Sequence, residues 1–223
     1  PETRSEFVPT VQALLSRGFG ADETALVKAT SMVGEIAAEL VPAEERALFL
    51  FATPRDYVRG ILAGENSVLE VPGPADMRGE RMSPRVRGLD AMRRSDAHLA
   101  AAAWACEMTA LEAAAEAMPG RAILWADFDR LLDDMAASLR RIAAFFGFDC
   151  VPDQAQALVQ GPLMRRYSKA LEYDYSPALR RELLDEAGHA HAADIDSALA
   201  MLHKAAGESP LLARALERAQ PEG

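Results

Sequence analysis

The chain has 223 residues, half of them hydrophobic, and a net charge of −10 with a pI near 4.9. That length and apolar share suit one large domain or two small ones with a sizeable core. The acidity argues against general nucleic-acid binding, which favours a basic stripe, and no apolar run approaches the ~18 residues of a membrane-spanning helix.

The start, PETRSEF, is polar and lacks both an apolar signal core and an initiator Met. No signal peptide is expected, and the sequence reads as truncated, processed or part of a longer gene. Ser5 to Arg17 carries Phe7, Val8, Val11, Leu14 and Leu15 at helical spacing, closed by Gly18 and Gly20. Ala25 to Lys28 (ALVK) is a candidate strand, and Met32 to Val41 a helix stopped by Pro42. Ala47 to Ala52 (ALFLFA) is the strongest strand signal. Pro54 to Leu62 follows as a helix, with Thr53 as its cap, Pro54 at the first helical position and Asp56 completing a capping-box-like arrangement.

Residues 64–82 contain several Gly and Pro and read as a loop. Ser83-Pro84 opens a predicted helix over SPRVRGLDAM, and Asp96 to Met118 is a long Ala-rich helix. Ala122 to Trp125 is a third strand. Helices then follow at Asp127–Leu132, Asp134–Phe146 (ended by Gly147) and Pro152–Val159. Residues 160–175 look irregular. From Ser176-Pro177 to Arg218 the chain is helical, with breaks at Gly188 and Gly207–Pro210.

Strands alternating with helices predict a parallel sheet with helical crossovers. Three strands are few for an open parallel sheet, so further strands upstream of Pro1 are expected. Their absence would leave apolar surface exposed and the isolated chain poorly soluble.

Four stretches could carry chemistry. A strand breaking into a helix N-terminus at Thr53-Pro54-Arg55-Asp56 offers N–H groups to an anion, with Arg55 adding charge. The alternative is that Arg55 pairs with a neighbouring carboxylate. In ALVKATS, Lys28 would end a strand beside Thr30 and Ser31, at the same sheet edge as Arg55. Six arginines between positions 78 and 94 (Arg78, Arg81, Arg85, Arg87, Arg93, Arg94) suit phosphate or sulfate capture. They could equally be a solvated face balanced by Glu80, Asp90 and Asp96. Arg165, Arg166 and Lys169 sit in an irregular segment of the kind that often binds.

Asp127 and Asp129, two apart after a strand, could be an acid/base pair or a helix cap. The two cysteines, Cys106 and Cys150, are too few for a disulfide framework, and no His or Cys stands in ligand spacing. The expectation is a reduced cytoplasmic protein without metal. No Walker loop, GxGxxG, GxSxG elbow or kinase signature is present.

The ordered set ALVKATS, ALFLFATPRDYVRG, AAAWACEMTAL, AILWADFDRLLDDMAASLRRIAAFFGF and MRRYSKALEYDYSPALR resembles the bacterial sulfotransferase-like branch of the P-loop superfamily, from about Ala25 to Glu186. Order and spacing carry the likeness more than any one motif. The resemblance implies a single domain over 1–223. A three-layer α/β/α part with a small parallel sheet and crossover helices would occupy 1–150, and a helical region over 151–223 would pack on it.

The family transfers a sulfuryl group from 3′-phosphoadenosine 5′-phosphosulfate (PAPS) to a hydroxyl or amine, here of a small-molecule or glycan acceptor. Lys28 falls on the Lys of a Lys-Thr/Ser-His segment, with Thr30 where the catalytic His is common. Arg55 matches the second basic residue of the Arg-Asp-Pro-Arg-Asp unit. Ala52 and Gly60 stand where its phosphate-binding Arg and Ser usually are. Phe128 falls where an aromatic ring stacks on adenine, and Arg165, Arg166 and Lys169 lie near a late basic loop. The 5′-phosphosulfate loop would lie upstream, and the general base could be Glu107, Asp127 or an upstream residue. The expectation is a chain inactive alone. The alternatives are a non-catalytic relative that binds an anion or partner, and a truncated P-loop small-molecule kinase.

Overall fold

Two short strands, β1 (Ala47–Phe51) and β2 (Ile123–Asp127), pair in parallel, with Ala47 opposite Ile123 and Phe51 opposite Asp127. They belong to a computed structural model that describes residues 2–18, 20, 23–30, 32–89, 95–167 and 170–220. Ser31, Asp90, Arg93, Arg94 and Lys169, named above, lie outside the described residues. A parallel pair needs a long crossover. Here it runs through α3 (Pro54–Leu62), α4 (Glu65–Glu70), α5 (Ala75–Met82) and the long α6 (Asp96–Glu116).

Helix α6 is the hub of the molecule. Alanines at 97, 100, 101, 103, 105, 110 and 114 are buried along it. Such small side chains let neighbouring helices approach closely, so one helix can serve several. Packed around it are α3, α5, the 3-10 turn Val33–Ile36, and two C-terminal helices, α11 (Ala192–Ala206) and α12 (Pro210–Arg218). Trp104, Val58, Ile195, Leu202 and Leu212 are fully buried in that core. Trp104 Nε1 donates to the carbonyl of Ala52 at 2.9 Å, which pins the end of β1 to α6. On the sheet face turned toward α6, Phe49 and Phe51 meet Trp125 edge to face, with centroids 5.0 and 6.2 Å away.

Glu112 of α6 is 3 % exposed, and its charge is met by α12. Arg218 gives it two hydrogen bonds and lies 3.9 Å from the centroid of the Trp125 ring, while Arg214 reaches it at 3.7 Å. A carboxylate this deep persists only when paired and hydrogen-bonded.

The remaining elements are α1 (Glu2–Leu15), α2 (Ala37–Leu40), α7 (Phe128–Asp133), α8 (Met135–Phe146), α9 (Pro152–Gln160), a hairpin of β3 (Arg166–Tyr167) with β4 (Ala170–Asp174), and α10 (Pro177–Ala190). None of the described helices is long and apolar enough to cross a membrane.

Several expectations need correction. Ala25–Lys28 is not a strand: the segment is irregular, with Leu26 67 % and Val27 49 % exposed, and no strand among the described residues pairs with it. The described parallel sheet therefore has two strands, not three. Lys28 does not stand beside Arg55 at a sheet edge.

Residues 64–82 are not a loop, because α4 and α5 form on either side of Pro72-Gly73-Pro74 and bury Val71 and Met82. The helix expected from Ser83 is not formed over 83–89. Ser83 instead closes α5, donating its N–H to Gly79 and its hydroxyl to Glu80, and Gly88 adopts φ 73°. Residues 160–175 contain a 3-10 turn and the β3–β4 hairpin. Gly188 does not break α10 but lies within it; a Cβ there would stand 2.7 Å from Arg59 Nε, so the end of the Arg59 side chain would have to shift.

Candidate site at the strand ends

Both parallel strands end at the same edge, and each turns at once into a helix. At the end of β1, Thr53 Oγ1 accepts the N–H of Asp56 at 3.1 Å, and the hydroxyl donates to the Asp56 carboxylate at 2.8 Å. At the end of β2, Asp127 caps α7 by accepting the N–H of Asp129 at 3.0 Å. Between these caps lies a cleft of about 260 Å³, lined by Thr53, Asp56, Asp127, Asp129, Arg130, Leu132, Asp133, Pro177 and Arg181.

The sequence leads one to expect a positive cradle here, and the cleft is electrically balanced instead. Asp56 faces Arg59 at 3.5 Å, Asp127 faces Arg130 at 3.9 Å, Asp129 faces Arg180 at 2.6 Å and Asp133 faces Arg181 at 3.7 Å. The positive end of α3 is already complemented by its own Asp56. The pairs differ in grip. Arg180 holds Asp129 through two hydrogen bonds, at 2.6 and 3.0 Å, and that bond raises the proton affinity of Arg180. Arg130 and Arg181 are exposed on longer contacts, where an ion pair is weak and readily exchanged. Burial pushes the Asp127 carboxyl above its ordinary value, opposed by the hydrogen bond from Asp129.

The residues singled out from the sequence scatter. Arg55 points away from the cleft and pairs with Asp196 of α11 at 2.8 Å, the carboxylate-pairing alternative weighed for it. Phe128 opens α7 next to the cleft, with the Arg180 guanidinium 5.0 Å from its ring centroid. Arg165 and Arg166 line a separate depression of about 320 Å³ with Gln160, Pro162 and Asp174.

Lys28 and Thr30 are exposed in the irregular segment, and Thr30 accepts a turn hydrogen bond from Val33. Of the arginine run, Arg85 is bound bidentately to Glu35 at 2.6 and 2.9 Å. The residue that sequence reasoning missed is Arg180. It stands 51 positions from its partner Asp129, with only a Ser-Pro helix start nearby as a marker. Among the described residues, no three His, Cys, Asp or Glu gather as a metal-ligand set.

Comparison with protein-family models, with curated proteins and with solved structures returned no match.

Proposed function

We propose that the chain carries part of a PAPS-dependent sulfotransferase-type domain and that its strand-end cleft is the nucleotide side of that site. The observation behind this reading is the parallel pairing of β1 with β2. It brings the Thr53–Asp56 cap and the Asp127–Phe128 turn to one edge, where open α/β sheets bind their ligands. A three-layer α/β/α architecture, with more strands beside β1 and β2, belongs to the same proposal. Exposed pairs such as Arg181–Asp133 release a guanidinium at little cost. A phosphate entering the cleft can therefore recruit Arg130 and Arg181, while Arg180 stays locked on Asp129. Of the other members of the proposed set, Lys28, Thr30, Arg55, Arg165 and Arg166 would act only through segments outside this cleft.

Two observations favour a second reading, a non-catalytic relative that binds an anion or partner. Thr30 cannot accept a proton at neutral pH, and every arginine facing the cleft already has a carboxylate. A thermal-shift titration with 3′-phosphoadenosine 5′-phosphate against ATP separates the possibilities. Stabilisation by the first ligand alone supports the sulfotransferase-type reading, stabilisation by ATP alone supports a kinase, and no stabilisation by either removes the nucleotide reading. PAPS-dependent transfer by this chain alone would refute the proposal that it is inactive in isolation.

A further inference from the structure

Away from the strand ends, a second set of charged side chains lies along α6, where α5 packs on it and the turn at Met32 meets it. Glu107 of α6 accepts the Met32 N–H through Oε2 at 2.9 Å. Its other oxygen, Oε1, is sealed from solvent and has no hydrogen-bond partner among the described residues. Arg78 of α5 comes to the same place, its carbonyl accepting from Cys106 Sγ at 3.6 Å. The Nε and Nη1 of its guanidinium are likewise sealed and without a partner among the described residues. Tyr57 of α3 packs against the same core; burial pushes its hydroxyl up, with smaller and opposed effects from Arg78 and Glu107.

The neighbouring charges are satisfied. Arg85 grips Glu35 and also reaches Thr109 Oγ1 and the carbonyl of Cys106. The cluster thus holds two cations and two anions, of which one pair is made. No ion pair joins Arg78 to Glu107 among the described residues. Sealed donors on a cation and a sealed carboxylate oxygen are costly when unmet, and in native proteins such groups point to a ligand or an ordered water. One cation and one anion left over call for a ligand that brings one of each, since it completes both without adding net charge to a buried site.

We propose that Arg78 and Glu107 form a binding site for a small zwitterion, with an ammonium on Glu107 Oε1, a carboxylate or similar oxyanion on Arg78 and the Tyr57 hydroxyl alongside. This site does not rest on the transfer reading, because neither charged residue lines the strand-end cleft.

The test is calorimetric titration of the full chain with glycine, β-alanine and γ-aminobutyrate, which separate the two charges by increasing lengths. Butyrate and n-butylammonium serve as single-charge controls. The site predicts that one member of the series binds at least about tenfold tighter than either control. Arg78→Gln and Glu107→Gln should each weaken that binding by about tenfold or more, and Tyr57→Phe by less. Should a Gln variant fail to fold by circular dichroism, the selectivity of the native chain decides alone. Equal binding of the series and the controls, or affinity that survives both Gln substitutions, would overturn the proposal. So would a crystal structure at saturating ligand with only ordered water between Arg78 and Glu107.

Discussion

The α6 core and the β1–β2 sheet solve the same burial problem with different completeness. Around α6, apolar side chains from five directions close completely over Trp104, Leu202 and Leu212, and Glu112, the one buried carboxylate among the described residues, has two arginines. At the sheet, Leu50 of β1 is 48 % exposed, and α8, the second helix after β2, has no fully buried residue. Parallel strands are ordinarily covered on both faces. The difference teaches that stability resides in the helical hub. The strand ends, where the cleft lies, are the thinly supported part of the molecule.

That contrast can be broken by substitution. Leu202→Ala empties a closed site and should cost about 2–5 kcal/mol by denaturant unfolding. A loss as small as a surface change would show that the hub is loosely packed. Glu112→Gln leaves Arg218 without its counter-charge, while Arg214 keeps Glu116, and should cost about 2 kcal/mol, less than a fully buried pair because Arg218 keeps some solvent. Thr53→Ala removes the cap of α3 and should cost about 1 kcal/mol. Leu50→Lys, on the open face of β1, should change stability by no more than about 0.5 kcal/mol and reduce self-association in sedimentation velocity. A large destabilisation there would mean that the face is covered after all.

The smallest effect is a pH slope. Burial raises the proton affinity of Asp127 in the folded chain. The folded state therefore holds that proton more tightly than the unfolded state does. Stability from this group falls as pH rises from the ordinary Asp value of 3.8 through the raised one, and is flat above it. Asp127→Asn keeps a capping side chain, should leave the melting temperature at pH 7 unchanged or higher, and should flatten that slope in acid-range melts. An unchanged slope would place the titration elsewhere.

Where local chemistry decides structure, the sequence was readable. Thr53, Pro54 and Asp56 mark the start of α3 at its observed position, and Gly147, with φ 82°, ends α8 as expected. Where distant packing decides, it was not. ALVK has strand-like residues and pairs with no strand among the described residues, while the Gly- and Pro-rich stretch after Ala63 hides two short helices held by Val71 and Met82. The caps at the strand ends were legible, and the charge of the cleft between them was not. Thr53, Asp56 and Asp127 could be read as caps, but the arginines that neutralise the carboxylates cannot all be found by proximity in sequence. Arg180 is 51 residues from Asp129, and Arg55 meets a carboxylate 141 residues away on α11.

The central functional claim is that the two strand ends form one nucleotide-binding edge. Amide hydrogen exchange with and without 3′-phosphoadenosine 5′-phosphate tests it most directly. The account predicts slowed exchange in residues 53–57 and 127–130 together, with α11 and α12 unchanged. Protection confined to one strand end, protection only at the β3–β4 hairpin, or none at all would contradict it.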